Sequence, residues 1–160
     1  MASLTHKYPT HRGFTMIELI CVIVILGILA ATAVPKFVNL RASANVSVVD
    51  GVKASLQSAV NLAYVKCIMT SGCSAAGVTT FTLDGVTRLF WNGYPDGANG
   101  SGQGIETWID TKGLTLVQTA FTTTSWQVPG APTPSQCAVS YVEAVSFGSL
   151  PTVSSVTTGC

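Results

Sequence analysis

The sequence predicts an α+β fold: one long N-terminal helix followed by an antiparallel sheet. Three observations carry this. From Phe14 to Val34 the chain is apolar but for Glu18. Beyond it, Val48, Val52, Leu56, Ala59, Val60 and Ala63 follow helical spacing, with Asp50, Lys53 and Gln57 between them. After Cys67 the chain turns to Thr, Ser, Gly and Val, in short β-prone runs broken by turn residues.

The apolar run comes first. At 1.5 Å per residue, Phe14–Val34 rises roughly 31 Å, close to the ~30 Å of a bilayer's hydrocarbon core. The preceding "MASLTHKYPTHRG" is polar and carries Lys7 and Arg12. The positive-inside rule keeps that end cytoplasmic and sends the remainder across the membrane. Three readings of the run compete. It is a signal anchor, with Glu18 close enough to the interface to reach water. It is a secretory signal peptide, with Ala31-Thr32-Ala33 as its cleavage site. Or it is a leader cut before the apolar segment. A carboxylate at a bilayer centre costs about 2.5–3.5 kcal/mol, less near the edge. A discarded signal peptide has no reason to keep one, so Glu18 points to a retained, functional segment.

Pro35 lacks a backbone N–H and clashes with the preceding turn, about 3 kcal/mol in a helix interior. Lys36 marks the membrane exit. Because helical spacing resumes at Val48, the expectation is one helix from about Phe14 to Lys66, bent near Pro35.

The second half is read more coarsely. "CIMTSGCSAAGVTT", Cys67 to Thr80, is loop-like. "FTLDGVTRLFW" reads as a hairpin turning at Asp84-Gly85. "NGYPDGANGSGQG", Asn92 to Gly104, is a Gly-rich loop, and "IETWID", Ile105 to Asp110, a short helical turn pair. "LTLVQTAF", "SWQV" and "CAVSYVEAVSF" read as strands, and the tail "PTVSSVTTGC" as a further edge strand.

Charged residues make up 9% of the chain, against about 25% in ordinary soluble domains. With a net charge of +1, nothing suggests a nucleic-acid surface. Of the five cysteines, Cys21 lies in the apolar run as a small hydrophobe. Cys67, Cys73, Cys137 and Cys160 show no CxxC zinc spacing, so disulfides in an oxidising compartment are expected. Four cysteines allow three connectivities; proximity favours Cys67–Cys73 and Cys137–Cys160.

No catalytic constellation is visible. His6 and His11 both precede Gly13, so a chain cut there has no histidine for a triad or metal site. The acids are scattered, and there is no G-x-S-x-G elbow or phosphate loop. No cofactor is implied. Asp96, Asn99 and Ser101 offer oxygen atoms, but their spacing misses the EF-hand pattern, which favours a plain loop over a calcium site. Trp91, Tyr94 and Trp108 flank that loop and are expected as core anchors rather than as a sugar or partner surface. Asn45 and Asn99 begin N-x-S sequons of little weight.

"RGFTMIELICVIVILGILAATAVPKF" resembles the start of a type IV pilin precursor. Gly13, Phe14, Thr15, Met16, Ile17, Glu18 and Leu19 match the family's G-F-T-hydrophobic-I-E-L pattern, with Met16 for the commoner Leu. Gly27 and Pro35 fall where the family loosens its helix. Along the whole chain, "VPKFVNLRASANVSVVDGVKASLQSA", "LFWNGYPDG" and "CAVSY…C" resemble the mannose-sensitive haemagglutinin pilins.

The resemblance implies that prepilin peptidase cuts between Gly13 and Phe14 and methylates the new Phe14 amine. Residues 1–13 are then the leader, 14–35 the membrane and filament-core half of the helix, 36–66 its amphipathic half, and 67–160 a globular β domain. It implies that Glu18 meets the N-terminal amine of a neighbouring subunit, that Gly27 to Pro35 is extensible, and that Cys137 pairs with Cys160. The implied partners are identical subunits, the peptidase, the assembly machinery and a surface or glycan target. The implied location is the inner membrane of a Gram-negative bacterium, then an extracellular pilus. A pseudopilin of type II secretion, a minor pilin, and a secreted binding protein cut after Ala33 are the alternatives.

Overall fold

The structure, a computed structural model, describes residues 13–97 and 102–160. Helix α1 runs Met16–Met69 with Pro35 inside it. It starts two residues later than the spacing predicts, because Thr15 is used as the cap, and ends three residues later. By contacts the chain divides into two units, one through Leu40 and one from Arg41 to Cys160.

In the first unit α1 buries almost nothing. Ile17, Ile23, Ile25, Leu26 and Leu29 are all more than half exposed. Its most apolar window has a mean hydropathy of 2.8, and α1 is the one helix among the described residues long and apolar enough to cross a membrane. Apolar surface of this extent needs lipid or another protein around it.

In the second unit α1 presents Val49, Leu56, Val60, Ala63 and Cys67 inward, at spacings of seven, four, three and four, which keep one face of the helix. Val49 takes the place expected of Val48, which is 45% exposed. Seven short strands follow among the described residues. β1 (Val78–Leu83), β2 (Val86–Trp91) and β3 (Tyr94–Pro95) form an antiparallel sheet in that order. β4 (Thr115–Ala120), β5 (Thr123–Gln127), β6 (Ala138–Val142) and β7 (Thr152–Val156) form a four-stranded antiparallel meander with β7 at its edge.

The two turns of the first sheet have one cause. Asp84 and Gly85 take φ of 53° and 77°; Asn92 and Gly93 take 51° and 84°. Two successive positive φ values give the hairpin turn that matches strand twist, and Asp-Gly and Asn-Gly accept them most easily. The first hairpin matches its expectation. The second corrects one, since Asn92 and Gly93 had been assigned to a loop. The expected loop up to Thr80 also ends early, at Val78. Ile105–Asp110 yields only a 3-10 turn, Ile105–Thr107.

Val49, Leu56 and Val60 of α1 pack with Trp126, Val139 and Tyr141 of the meander. A smaller cluster joins Ala63 and Cys67 to Phe90, with Phe81 and Trp108 against it. Trp108 meets Phe90 edge-to-face at 5.9 Å, and the Arg88 guanidinium lies 4.3 Å over the Trp108 ring. Trp91, Tyr94 and Trp108 are partly buried.

Candidate functional site

The singled-out segment begins at Gly13 and Phe14, both exposed. Thr15 then caps α1. Its backbone N–H donates to Glu18 Oε2 at 2.9 Å, and its hydroxyl donates to the same oxygen at 2.7 Å. Glu18 in turn directs its backbone N–H at the Thr15 hydroxyl, 3.3 Å away. This is a capping box, T-x-x-E, in which two otherwise unmet helix-start donors are satisfied reciprocally. The sequence reading treated Glu18 as a charge at a helix end and missed this bond, although Thr15-Met16-Ile17-Glu18 carries the motif. Among the described residues the only ion pair is Lys112–Asp110, so Glu18 has no cationic partner within them.

Further along, three residues weaken one stretch of α1. Gly27 has no side chain, and a Cβ there would meet nothing within 4 Å. Only its backbone freedom distinguishes it from alanine, a loss of about 1 kcal/mol of helix stability. Thr32 donates its hydroxyl to the Leu29 carbonyl at 3.0 Å, a local bond that competes with the helix ladder. Pro35 leaves the carbonyl one turn earlier without its donor. Cys21 is exposed and unpaired.

In the second unit Cys67 is bonded to Cys73, and Cys137 to Cys160. The first bond ties the last turns of α1 to the loop before β1. The second ties the start of β6 to the residues after β7. Asn45 of α1 donates to the Cys160 carbonyl at 3.1 Å, and Arg41 to that of Gly130 at 2.9 Å. The helix is thereby fastened to the end of the disulfide loop and to the turn after β5 by polar bonds as well as by packing.

Of the oxygen-rich loop, Asn99 and Ser101 lie outside the described residues, as do His6 and His11. Asp96 is described, and its carboxyl group faces Glu143. Glu143 is 8% exposed and accepts the Gly97 N–H at 2.8 Å. Burial first, then the charge of Asp96 and a bond to it, raise the Glu143 pKa against the lowering effect of that N–H. Among the described residues no group of three His, Cys, Asp or Glu side chains is placed to hold a metal ion. This acid pair was not visible in the sequence, where its members stand almost fifty residues apart.

A helix whose apolar first half is of membrane length and unburied, a glutamate at its capped start and a disulfide-stapled α+β unit fit the class of membrane-anchored subunits. Comparison with known proteins narrows the class. Residues 9–34 match the prokaryotic N-terminal methylation motif. The chain is 40% identical to a type IV narrow pilus major component of Thermus thermophilus over 106 residues, 66% of this chain and 76% of that protein. It is 34% identical over 74 residues to a type IV major fimbrial protein of Dichelobacter nodosus, 46% of this chain and 47% of that one. A type IV major pilin of Myxococcus xanthus is 56% identical over 34 residues, only 16% of its length. No solved structure matches significantly. The chain belongs to the type IV pilin family.

Proposed function

We propose that this chain is the precursor of a major type IV pilus subunit of the mannose-sensitive haemagglutinin type, serving surface adhesion. Prepilin peptidase removes residues 1–13 between Gly13 and Phe14 and methylates the Phe14 amine. Residues 14–35 hold the precursor in the inner membrane and then pack in the filament core. Residues 36–66 join that core to the globular domain, 67–160. The role is structural, not catalytic.

The single observation that carries this reading is Glu18. It is the one charge between Phe14 and Val34, an apolar segment of α1 that the fold leaves unburied. Once Gly13 is removed, a positive amine stands one turn from Glu18. Pairing that carboxylate with a neighbour's amine rewards one axial register, since an unpaired charge in an apolar core is costly. Gly27 to Pro35 is the stretch that can lengthen under load. The Cys137–Cys160 bond and the named relatives support a pilus subunit over a type II secretion pseudopilin.

The test is the intact mass of the protein from its native cell surface, with and without reduction. A chain from Phe14 to Cys160, one methyl heavier and gaining four hydrogens through its two disulfides, is expected. A chain beginning at Val34 would overturn the filament reading.

A further inference from the structure

Phe121 stands in the two-residue turn between β4 and β5 with 97% of its surface exposed. Local structure does not account for it. Two-residue hairpin turns favour residues that take positive φ, and neither Phe121 nor Thr122 does so. A large apolar side chain left in water forgoes the stabilisation that burial would give it. The turn would therefore be better served by Asn or Gly, and solubility by almost any polar residue.

The same unit has an unfilled space. A cavity of 230 Å³ opens between α1 and the segment joining β6 to β7, with Tyr64, Asn92, Tyr94, Phe147 and Leu150 in its wall. A second, of 340 Å³, adjoins it across Tyr94 and Leu150. The Tyr64 and Tyr94 rings stack at 4.7 Å and form an aromatic floor. Phe147 and Leu150 are 71% and 75% exposed at the rim. The smaller cavity falls below the roughly 300–1,000 Å³ of small-molecule clefts and suits a single side chain. Among the described residues no charged side chain lines either one.

We propose that Phe121 of one copy seats in the Tyr64–Tyr94–Leu150 cavity of a neighbouring copy. This rests on the filament reading above and names one contact within it. The partner is a second copy for two reasons. Knob and cavity are different patches of one chain, so their contact is heterologous, the kind of contact from which open helical filaments are built when the rotation between copies does not close. The area is also decisive. An aromatic side chain buries about 150–250 Å², whereas a stable interface needs about 1,200–2,000 Å². The contact alone cannot hold two free subunits together. It acts between copies already gathered by the apolar half of α1, so knob and cavity coexist in a precursor that stays unassembled in the membrane.

The full chain, produced with its assembly machinery, is tested with p-benzoylphenylalanine in place of Phe121. Filaments are sheared off, irradiated and digested. The expected result is covalent dimers and higher species, with the cross-link mapping to Tyr64, Tyr94 or residues 147–151 of a second copy. Filaments that give no cross-link, or one elsewhere, overturn the contact. If the larger side chain blocks assembly, Phe121→Ser decides. Filaments several-fold shorter than wild type after a fixed shear support the contact, and wild-type length overturns it. A wild-type chain that forms no filaments overturns the polymer reading itself, a result distinct from the others.

Discussion

Asn92 donates its side-chain amide to the carbonyl of Ala144 over 2.8 Å, and that bond joins the three-stranded sheet to the meander. The same side chain accepts the N–H of Gly77 at 3.0 Å. Asn92 is 8% exposed with φ of 51°. Beside it the buried Tyr141 hydroxyl donates to the Pro95 carbonyl at 2.7 Å. Two small sheets with little shared core are thus held in register by a few directed bonds.

Asn92→Ala should therefore destabilise the globular domain by about 3 kcal/mol. It leaves the buried Ala144 carbonyl unmet, at about 1–3 kcal/mol, strips the part-buried Gly77 N–H of its acceptor, and puts alanine in the left-handed region, at about 1–3 kcal/mol. Chemical denaturation of the full chain in detergent checks this. The midpoint should fall with an unchanged slope; an unmoved midpoint would show the bond contributes nothing.

How much of this was legible in the sequence differs by element. The long helix was, because a 3.6-residue period survives in Leu56, Val60 and Ala63. The first hairpin was, because Asp84-Gly85 stands between two β-prone runs. The second was masked, because Asn92-Gly93 opens a Gly-rich stretch that reads as loop throughout. The strand expected through Phe147 stops at Val142. There Glu143 turns to Gly97 and Ala144 to Asn92, tertiary bonds that no local pattern reveals. The capping box at Thr15 and Glu18 was legible and overlooked, since the charge of Glu18 drew the reading toward partners outside the chain.

Glu143 carries the clearest pH dependence. Its folded pKa is raised, by burial first and by Asp96 next. The folded chain thus holds that proton more tightly than the unfolded one. The resulting stability is fully present below the unfolded value of about 4.3 and is lost as pH rises through the higher folded value. Tyr141, raised by burial and by both carboxylates, stays protonated throughout. Asp110 is lowered, mainly by the Lys112 N–H, so its sign is opposite; being fully exposed, it is common to both proteins below and cancels. Glu143→Gln should keep an acceptor for Gly97 but lose the titration. Wild type should lose stability relative to the variant as pH rises, and parallel melting profiles would contradict a buried Glu143 held against Gly97 and Asp96.

The two disulfides should differ in worth. Cys67–Cys73 spans 6 residues and Cys137–Cys160 spans 23. Loop-closure entropy gives about 2.2 kcal/mol for the shorter and about 3.4 kcal/mol for the longer. Cys67 and Cys137 are both fully buried, so serine in place of either buries a hydroxyl and loop length is left to set the order. Paired serine substitutions, compared by denaturation midpoint, should rank the second bond as the more costly loss. The reverse order would mean that the end of α1 depends on Cys67–Cys73 beyond its loop length.

Glu18 offers the sharpest separation, because the structure gives it one job and the filament reading gives it another. As a helix cap it needs only an acceptor for the Thr15 N–H and hydroxyl. Glutamine supplies that and completes a capping box as glutamate does. As a register charge it needs to be negative, which glutamine is not. Glu18→Gln should therefore leave membrane insertion and removal of residues 1–13 intact but abolish or sharply reduce filaments. Thr15→Ala, which breaks the box and keeps the charge, should cost about 1 kcal/mol of helix start and leave filaments abundant. Cell-surface filaments counted beside the mature chain in membranes distinguish the two. Wild-type filament yield from Glu18→Gln, with loss from Thr15→Ala, would assign Glu18 to the cap alone and leave the apolar helices to set their own register.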